Sequence, residues 1–101
     1  MNKYGLLGKL KAQQGQVKSL AQILIKASEI VSKAPGCFFY VVGIENETVV
    51  IQEVWESKSH HDESLKMPGV RELISQAMPL LDGPPAKGNE LVILGGYGLD
   101  F

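Results

Sequence analysis

Apolar residues recur along the chain with two different spacings, and these spacings predict its secondary structure. Between Gln16 and Ser32 the apolar residues fall three or four positions apart, which is typical of one helix face; they are Val17, Leu20, Ala21, Leu24, Ala27 and Val31. Pro35 and Gly36 then end this helix, because proline cannot continue its backbone hydrogen bonds. Segments rich in β-branched, aromatic or alternating apolar residues predict four strands, over residues 4–11, 37–44, 48–55 and 90–97.

A second helix is expected between the third and fourth strands. Ser57 to Ser59 can cap its start, and Ser59 and Asp62 have the spacing of a capping box. Met67-Pro68-Gly69 interrupts it and Pro79 limits its far end, before a loop over residues 82–89. The chain is therefore predicted to be a single α+β domain over residues 1–101, with the order β-α-β-β-α-β.

The predicted strands are apolar on both of their sides. Alternation puts Phe38, Tyr40, Val42 and Ile44 on one side, with Phe39 and Val41 on the other, and the third and fourth strands repeat this pattern. Two right-handed crossovers place both helices on the same face of the sheet. Each large side chain left in water on the other face would forfeit about 1.5–3 kcal/mol of burial. We therefore predict a homodimer that pairs through this face; the alternatives are a monomer whose amphipathic sheet is loosely covered and a monomer whose tail folds across it.

Charge and composition narrow the classes of partner and compartment. The net charge is −1, and lysines and acidic residues are evenly scattered, so no basic stripe is available for nucleic acid. No apolar run approaches the roughly 20 residues that span a bilayer, and the N-terminus lacks the apolar core of a signal peptide. Cys37 is the single cysteine, which fits a reducing compartment. We expect a cytoplasmic protein that binds neither nucleic acid nor membrane.

The third strand and the residues after it hold the most informative polar groups. Glu53 and Trp55 point to one face that is otherwise apolar, where a carboxylate must be hydrogen-bonded, paired or in contact with a cavity. His60 and His61 follow at the start of the second helix, close enough for one imidazole to approach the indole. The alternatives are a Trp55 that only packs, a Glu53 that pairs with a lysine at a dimer surface, and solvated histidines.

Other chemistry has little support in the sequence. His60 and His61 lack the spacing that puts two metal ligands on one helix face, so we expect no metal site. Neither a phosphate-binding glycine loop nor a nucleophile elbow is present. Arg71, the only arginine, could neutralise an anionic ligand or form a surface salt bridge.

Three segments resemble the antibiotic biosynthesis monooxygenase (ABM) family, in particular its small quinol monooxygenases. They are the opening residues 4–9, the helix exit 35–37, and the run Glu53-Val54-Trp55-Glu56-Ser57-Lys58 followed by His61-Asp62-Glu63-Ser64-Leu65. The resemblance covers roughly residues 3–97 in the same order of elements. It implies a ferredoxin-like subunit with a four-stranded antiparallel sheet that pairs into a dimeric α+β barrel.

The same resemblance implies an activity and a set of site residues. Enzymes of the family oxygenate small phenols or hydroquinones with O₂ and need no metal, flavin or nicotinamide cofactor. By resemblance, His61 is the candidate base or proton shuttle and Trp55 the cavity wall that orients the substrate. The residues expected to contact substrate or hold its polar network are Glu53, His60, Leu65, Arg71 and Tyr40.

Two further functions stay open for this fold. One is a non-catalytic dimeric module that binds a small hydrophobic ligand, and the other is haem binding. Haem degradation is disfavoured, because the related haem-degrading branch uses an asparagine on the first strand and residues 4–11 contain none. Fold alone does not choose among these functions.

Overall fold

A computed structural model describes residues 2–99 of the chain as one four-stranded sheet with helices packed against it. The elements are β1 (Lys3–Lys11), α1 (Val17–Val31), β2 (Cys37–Glu45), β3 (Thr48–Trp55), α2 (Lys58–Ser64), α3 (Pro68–Ala77) and β4 (Asn89–Ile93), with a 3-10 turn at Met78–Leu80. This order confirms the α+β class, with the second helix divided into α2 and α3.

All strand pairs are antiparallel, and the strand order across the sheet is β2-β3-β1-β4. The two central strands are therefore β3 and β1, and the edges are β2 and β4. Tyr4 on β1 lies opposite Trp55 on one side and Val92 on the other. Glu53 lies between Leu6 and Tyr40 in the same way. This topology is the ferredoxin-like arrangement that the family resemblance implies.

The helices cover one face of the sheet and build the core there. Its main cluster joins α1 to β3 and to the end of α3; its buried members are Ala12, Leu20, Ala21, Leu24, Val49, Ile51, Ala77 and Leu81. A second cluster surrounds Trp55 with Val31, Ala34 and Val70. Both α1 and α3 thus pack on the same face, because their apolar stripes and the alternate residues of β3 meet there.

The opposite face of the sheet carries a row of apolar side chains that none of the described helices covers. By strand register these are Leu7, Phe39, Val41, Val50, Val54, Leu91 and Ile93. Val41 and Leu91 are 42% and 49% exposed, and a cavity of about 170 Å³ lies among Leu7, Phe39, Val54 and Leu91. We call these seven residues the open face.

Two boundaries differ from the sequence prediction. The helix N-cap is Ser57, whose hydroxyl accepts a hydrogen bond from the His60 backbone N–H, so the proposed capping box at Ser59 does not form. The last strand ends at Ile93 and not at Tyr97. Ile93 already lies opposite Lys3, the first residue of β1, so the strand runs out of partner, and Gly95 and Gly96 then adopt φ of +154° and +139°.

Within residues 2–99, no helix is both long enough and apolar enough to span a bilayer.

Candidate functional site

The candidate site lies at the end of the sheet where β1 begins and β3 ends. Here Tyr4 and Trp55 are direct neighbours across the two central strands. The chain leaves β3 at Trp55 and enters α2 only three residues later, at Lys58. Because the Ser57 cap fixes the first turn of α2, the two histidines of that turn are held close to the end of β3.

Glu53 and Trp55 form a buried hydrogen-bonded pair on the helix side of β3. The Trp55 indole Nε1–H donates to Glu53 Oε1 at 2.9 Å. Trp55 is fully buried and the Glu53 side chain is 10% exposed. Burial raises the pKa of the Glu53 carboxyl, while the Trp55 hydrogen bond and the nearby His61 act in the opposite direction. Of the three environments expected for this carboxylate, hydrogen-bonded, paired or in contact with a cavity, the structure shows the hydrogen bond, from Trp55 on the same strand.

His61 lies between two carboxylates and two aromatic rings. Its Nε2 is 3.7 Å from Glu53 Oε1, and its Nδ1 is 3.0 Å from Asp62 Oδ1. The imidazole meets Trp55 edge-on with ring centroids 5.8 Å apart, and the Tyr4 ring centroid is 5.9 Å away. The side chain is only 13% exposed. It is therefore a shielded imidazole with a carboxylate near each nitrogen.

This arrangement fits an imidazole that takes up a proton. If Asp62 accepts a hydrogen bond from Nδ1–H, the lone pair of the neutral ring is on Nε2, on the side of Glu53. The 3.7 Å between Nε2 and Oε1 is too long for a direct hydrogen bond. Nε2 and Oε1 are therefore not joined by a hydrogen bond of their own. A hydroxyl group about 2.8 Å from both atoms could donate to Nε2 and accept from the Glu53 carboxyl in its protonated form.

Tyr4 joins the same group through a contact that the sequence did not reveal. Its Oη donates to Glu90 Oε2 at 2.8 Å. Burial, the Glu90 hydrogen bond and the surrounding carboxylates together raise the pKa of Tyr4 to about 12, so the phenol stays protonated at neutral pH. Tyr4, Asp62 and Glu90 were all missed as site residues. Adjacency to His61 was a usable signal for Asp62, whereas Glu90 is brought in only by the β1–β4 pairing.

His60 points to a different part of the surface. Its Nδ1 is 2.7 Å from Ser57 Oγ, and its ring lies against Gly36, where a Cβ would come within 2.7 Å of it. Gly36 has φ of +82°, so glycine is suited to this position for both backbone and space. With Pro35 and Glu63, His60 lines a small open groove. The two histidines therefore do not share one cavity.

The remaining predicted residues fall into two groups. Tyr40 lies opposite Glu53 on β2 and packs against both core clusters, and burial raises the pKa of its phenol. It is thus beside the site. Leu65 is 43% exposed after the end of α2, and Arg71 is exposed on α3. The structure does not bring these last two to His61, and their roles as substrate contacts stay predictions.

Among residues 2–99, no three histidine, cysteine or acidic side chains are arranged to hold a metal ion. The polar atoms at the site contact one another: Glu53 accepts a hydrogen bond from Trp55, and His61 lies between Glu53 and Asp62.

The antibiotic biosynthesis monooxygenase family model matches residues 4–76, which run from the second residue of β1 to the last but one of α3 and include all site residues except Glu90. A candidate antibiotic biosynthesis monooxygenase from Chloroflexus aurantiacus J-10-fl is 36% identical, covers 97% of this chain and 99% of its own, and superposes with a TM-score of 0.85. No curated protein matches the chain significantly.

More distant solved structures share the fold. A conserved protein from Methanosarcina mazei Go1 is 19% identical with a TM-score of 0.81, covering 92% of this chain and 94% of its own. A candidate antibiotic biosynthesis monooxygenase from Caulobacter crescentus CB15 is 15% identical with a TM-score of 0.82, covering 93% of this chain and 92% of its own. The family match over most of the chain, with the 36% identical structure, shows that this protein belongs to the antibiotic biosynthesis monooxygenase family.

Proposed function

We propose that this protein is a cofactor-independent monooxygenase that oxidises small phenols or hydroquinones with O₂. The observation that supports this most directly is His61, a shielded imidazole with a carboxylate near each nitrogen and the Trp55 indole edge-on beside it. An imidazole in this position can take a proton from a substrate hydroxyl near neutral pH. Membership of the monooxygenase family supports the same reaction class.

In the proposed reaction His61 acts first, as the base. Its Nε2 takes the proton of one substrate hydroxyl, and the positive charge that forms on the ring is stabilised by Asp62 on the other side. The substrate anion is a strong enough reductant to give one electron to O₂, which yields a semiquinone radical and superoxide. The protein therefore needs to supply a base, an orienting wall and shelter from water.

The remaining steps balance without a further reductant. Superoxide and the semiquinone combine to form a carbon–oxygen bond, and His61 returns its proton to the resulting hydroperoxide anion. Cleavage of the O–O bond releases one oxygen atom as water and leaves the other on the ring. Hydroquinone and O₂ thus give hydroxyquinone and water.

Oxygen uptake with a panel of hydroquinones tests this proposal. We expect His61→Ala to lower the rate by about 10²- to 10⁴-fold, the usual contribution of general acid–base catalysis. Trp55→Phe removes the indole N–H that donates to Glu53, and it should lower the rate less than His61→Ala does. His60→Ala is the matched control. The His60 side chain is hydrogen-bonded to Ser57, away from His61, so this substitution should leave the rate within about twofold of the wild type.

Equal rates in the wild type and in His61→Ala would contradict the proposed base. If no hydroquinone is consumed by the wild type, the protein is better described as a ligand-binding module of the same fold. Addition of haemin tests the haem-binding alternative, since binding would produce a Soret band.

We further propose that the protein acts as a homodimer joined through the open face. Its exposed apolar residues would be covered by the same residues of a second copy, as a two-fold axis requires. Sedimentation should give about twice the chain mass of 11.0 kDa. Leu91→Glu, on the open face, should shift the protein toward monomer, whereas Val92→Glu, one residue along the same strand and on the other face, should not. A wild type that stays monomeric at micromolar concentration would contradict this.

A further inference from the structure

Three carboxyl groups lie around His61, and two of them are exposed. Glu53 and Asp62 lie at its two nitrogens, and Glu90 holds the hydroxyl of the neighbouring Tyr4. Among residues 2–99, Lys58 is the lysine that forms ion pairs with this group, at 3.3 Å from Asp62 and 4.0 Å from Glu90. The two exposed carboxylates, Asp62 and Glu90, thus share one lysine, whereas burial raises the pKa of Glu53 and favours its neutral form.

This charge acts on any phenol that reaches the site. Its effect is visible on Tyr4: in addition to burial, the carboxyls of Glu90, Asp62 and Glu53 raise the pKa of the phenol and so oppose the formation of a negative charge there. A substrate hydroxyl that gives its proton to His61 is not opposed in the same way, since the proton stays beside the anion as part of an ion pair. A substrate that brings a separate, permanent negative charge has no such compensation.

We propose that the site selects neutral or cationic phenols and hydroquinones and rejects those that carry a carboxylate. Asp62 and Glu90 are the specificity-determining residues, because they stand at the rim with side chains 49% and 44% exposed. The inference rests on the proposed function for the location of the substrate, but it concerns binding and can be tested without turnover.

The site contains its own reporter. Trp55 is the only tryptophan of the chain, so fluorescence excited at about 295 nm reports on a ligand beside it. Three air-stable phenols differ in the charge opposite their hydroxyl: 4-methylphenol is neutral, 4-hydroxyphenylacetate is anionic and tyramine is cationic. We expect the anion to bind at least about tenfold more weakly than 4-methylphenol at low salt, and tyramine to bind as well as 4-methylphenol or better.

Two isosteric variants test whether Asp62 and Glu90 cause the weaker binding of the anionic phenol. Glu90→Gln keeps an acceptor for the Tyr4 hydroxyl, and Asp62→Asn keeps an acceptor for His61 Nδ1–H, while each removes one charge. In the double variant the tenfold preference should fall to about threefold or less. Asp82→Asn is the control: this carboxylate pairs with Lys11, about 23 Å along β1 from Tyr4, and its removal should not change the preference.

Salt provides a second measurement that needs no variant. About 0.5 M NaCl should reduce the preference in the wild type, because charges at an accessible rim are screened. Equal dissociation constants for 4-methylphenol and 4-hydroxyphenylacetate, or an unchanged preference in the double variant, would overturn the charge selection alone. Failure of all three phenols to change Trp55 fluorescence would overturn both this inference and the proposed site. Selective binding without any oxygen uptake would contradict only the monooxygenase.

Discussion

Alternate residues of β3 point to the same helix-covered face, but the two ends of this row have different surroundings. At one end Val49 and Ile51 are closed in by α1 and by Leu81, in a cluster of apolar side chains. At the other end Glu53 and Trp55 meet the shorter helix α2 and its His61. A single strand thus contributes both to the core and to the candidate site.

The difference follows from what covers each end. The helix α1 has 15 residues with an apolar stripe, so it can exclude water along the whole of its contact. The helix α2 has only seven residues, and in the described structure its buried position is Ser64. Trp55 is still fully buried, because Val31 and Val70 of the longer helices pack around it, but the polar atoms of Glu53 and Trp55 beneath α2 are satisfied by a hydrogen bond to each other. The fold therefore separates a purely apolar cluster at one end of the strand from the polar groups of the candidate site at the other.

The largest effect that tests this separation is expected at Leu20. This residue of α1 is fully buried against the apolar end of β3, and Leu20→Ala should lower the free energy of unfolding by about 2–5 kcal/mol. Urea denaturation followed by circular dichroism measures this. Oxygen uptake per folded molecule should be retained, because the substituted position lies in the other cluster. Loss of activity in a fully folded Leu20→Ala protein would show that the two ends are coupled.

Much of the fold could be read from spacing alone. The helix over residues 17–31 and the strand over residues 48–55 were predicted within a residue at each end, since a 3.6-residue period and a run of β-branched residues are strong local signals. The end of β4 could not be read, because Leu94 is as apolar as Ile93. It is the length of the partner strand that stops the pairing, and this is a property of the tertiary structure.

The candidate site was only partly accessible from the sequence. Glu53, Trp55 and the pair His60 and His61 could be selected because a carboxylate on an apolar strand face and imidazoles just after it are unusual, and the family resemblance then indicated His61. Without that resemblance the choice between His60 and His61 could not be made, since it depends on the capping of α2 by Ser57, which draws His60 to Gly36 and leaves His61 beside Trp55. Glu90 was unpredictable for another reason: it is 86 residues from Tyr4 in the chain.

A smaller effect, on the pH dependence of stability, is expected from Glu53 at the polar end of β3. Glu53→Gln keeps an oxygen that can accept the Trp55 indole hydrogen bond but removes the buried charge. Because burial raises the pKa of Glu53 in the folded protein, the folded state holds this proton more tightly than the unfolded chain does. The contribution of Glu53 to stability is therefore greatest at acidic pH and falls as the pH rises from the ordinary glutamate value through the raised one.

The variant lacks this loss, so its stability relative to the wild type should increase over the same pH interval and then level off. The slope cannot exceed about 1.4 kcal/mol per pH unit, which is the limit for one proton. Urea denaturation at a series of pH values measures it, and the comparison should be repeated in a His61→Gln background, because His61 Nε2 lies 3.7 Å from Glu53 and acts on the pKa of its carboxyl. A stability difference that does not vary with pH in that background would mean that burial does not hold a proton on Glu53. The polar end of β3 would then differ from the apolar end in its hydrogen bonds and not in the energetic cost of its charge.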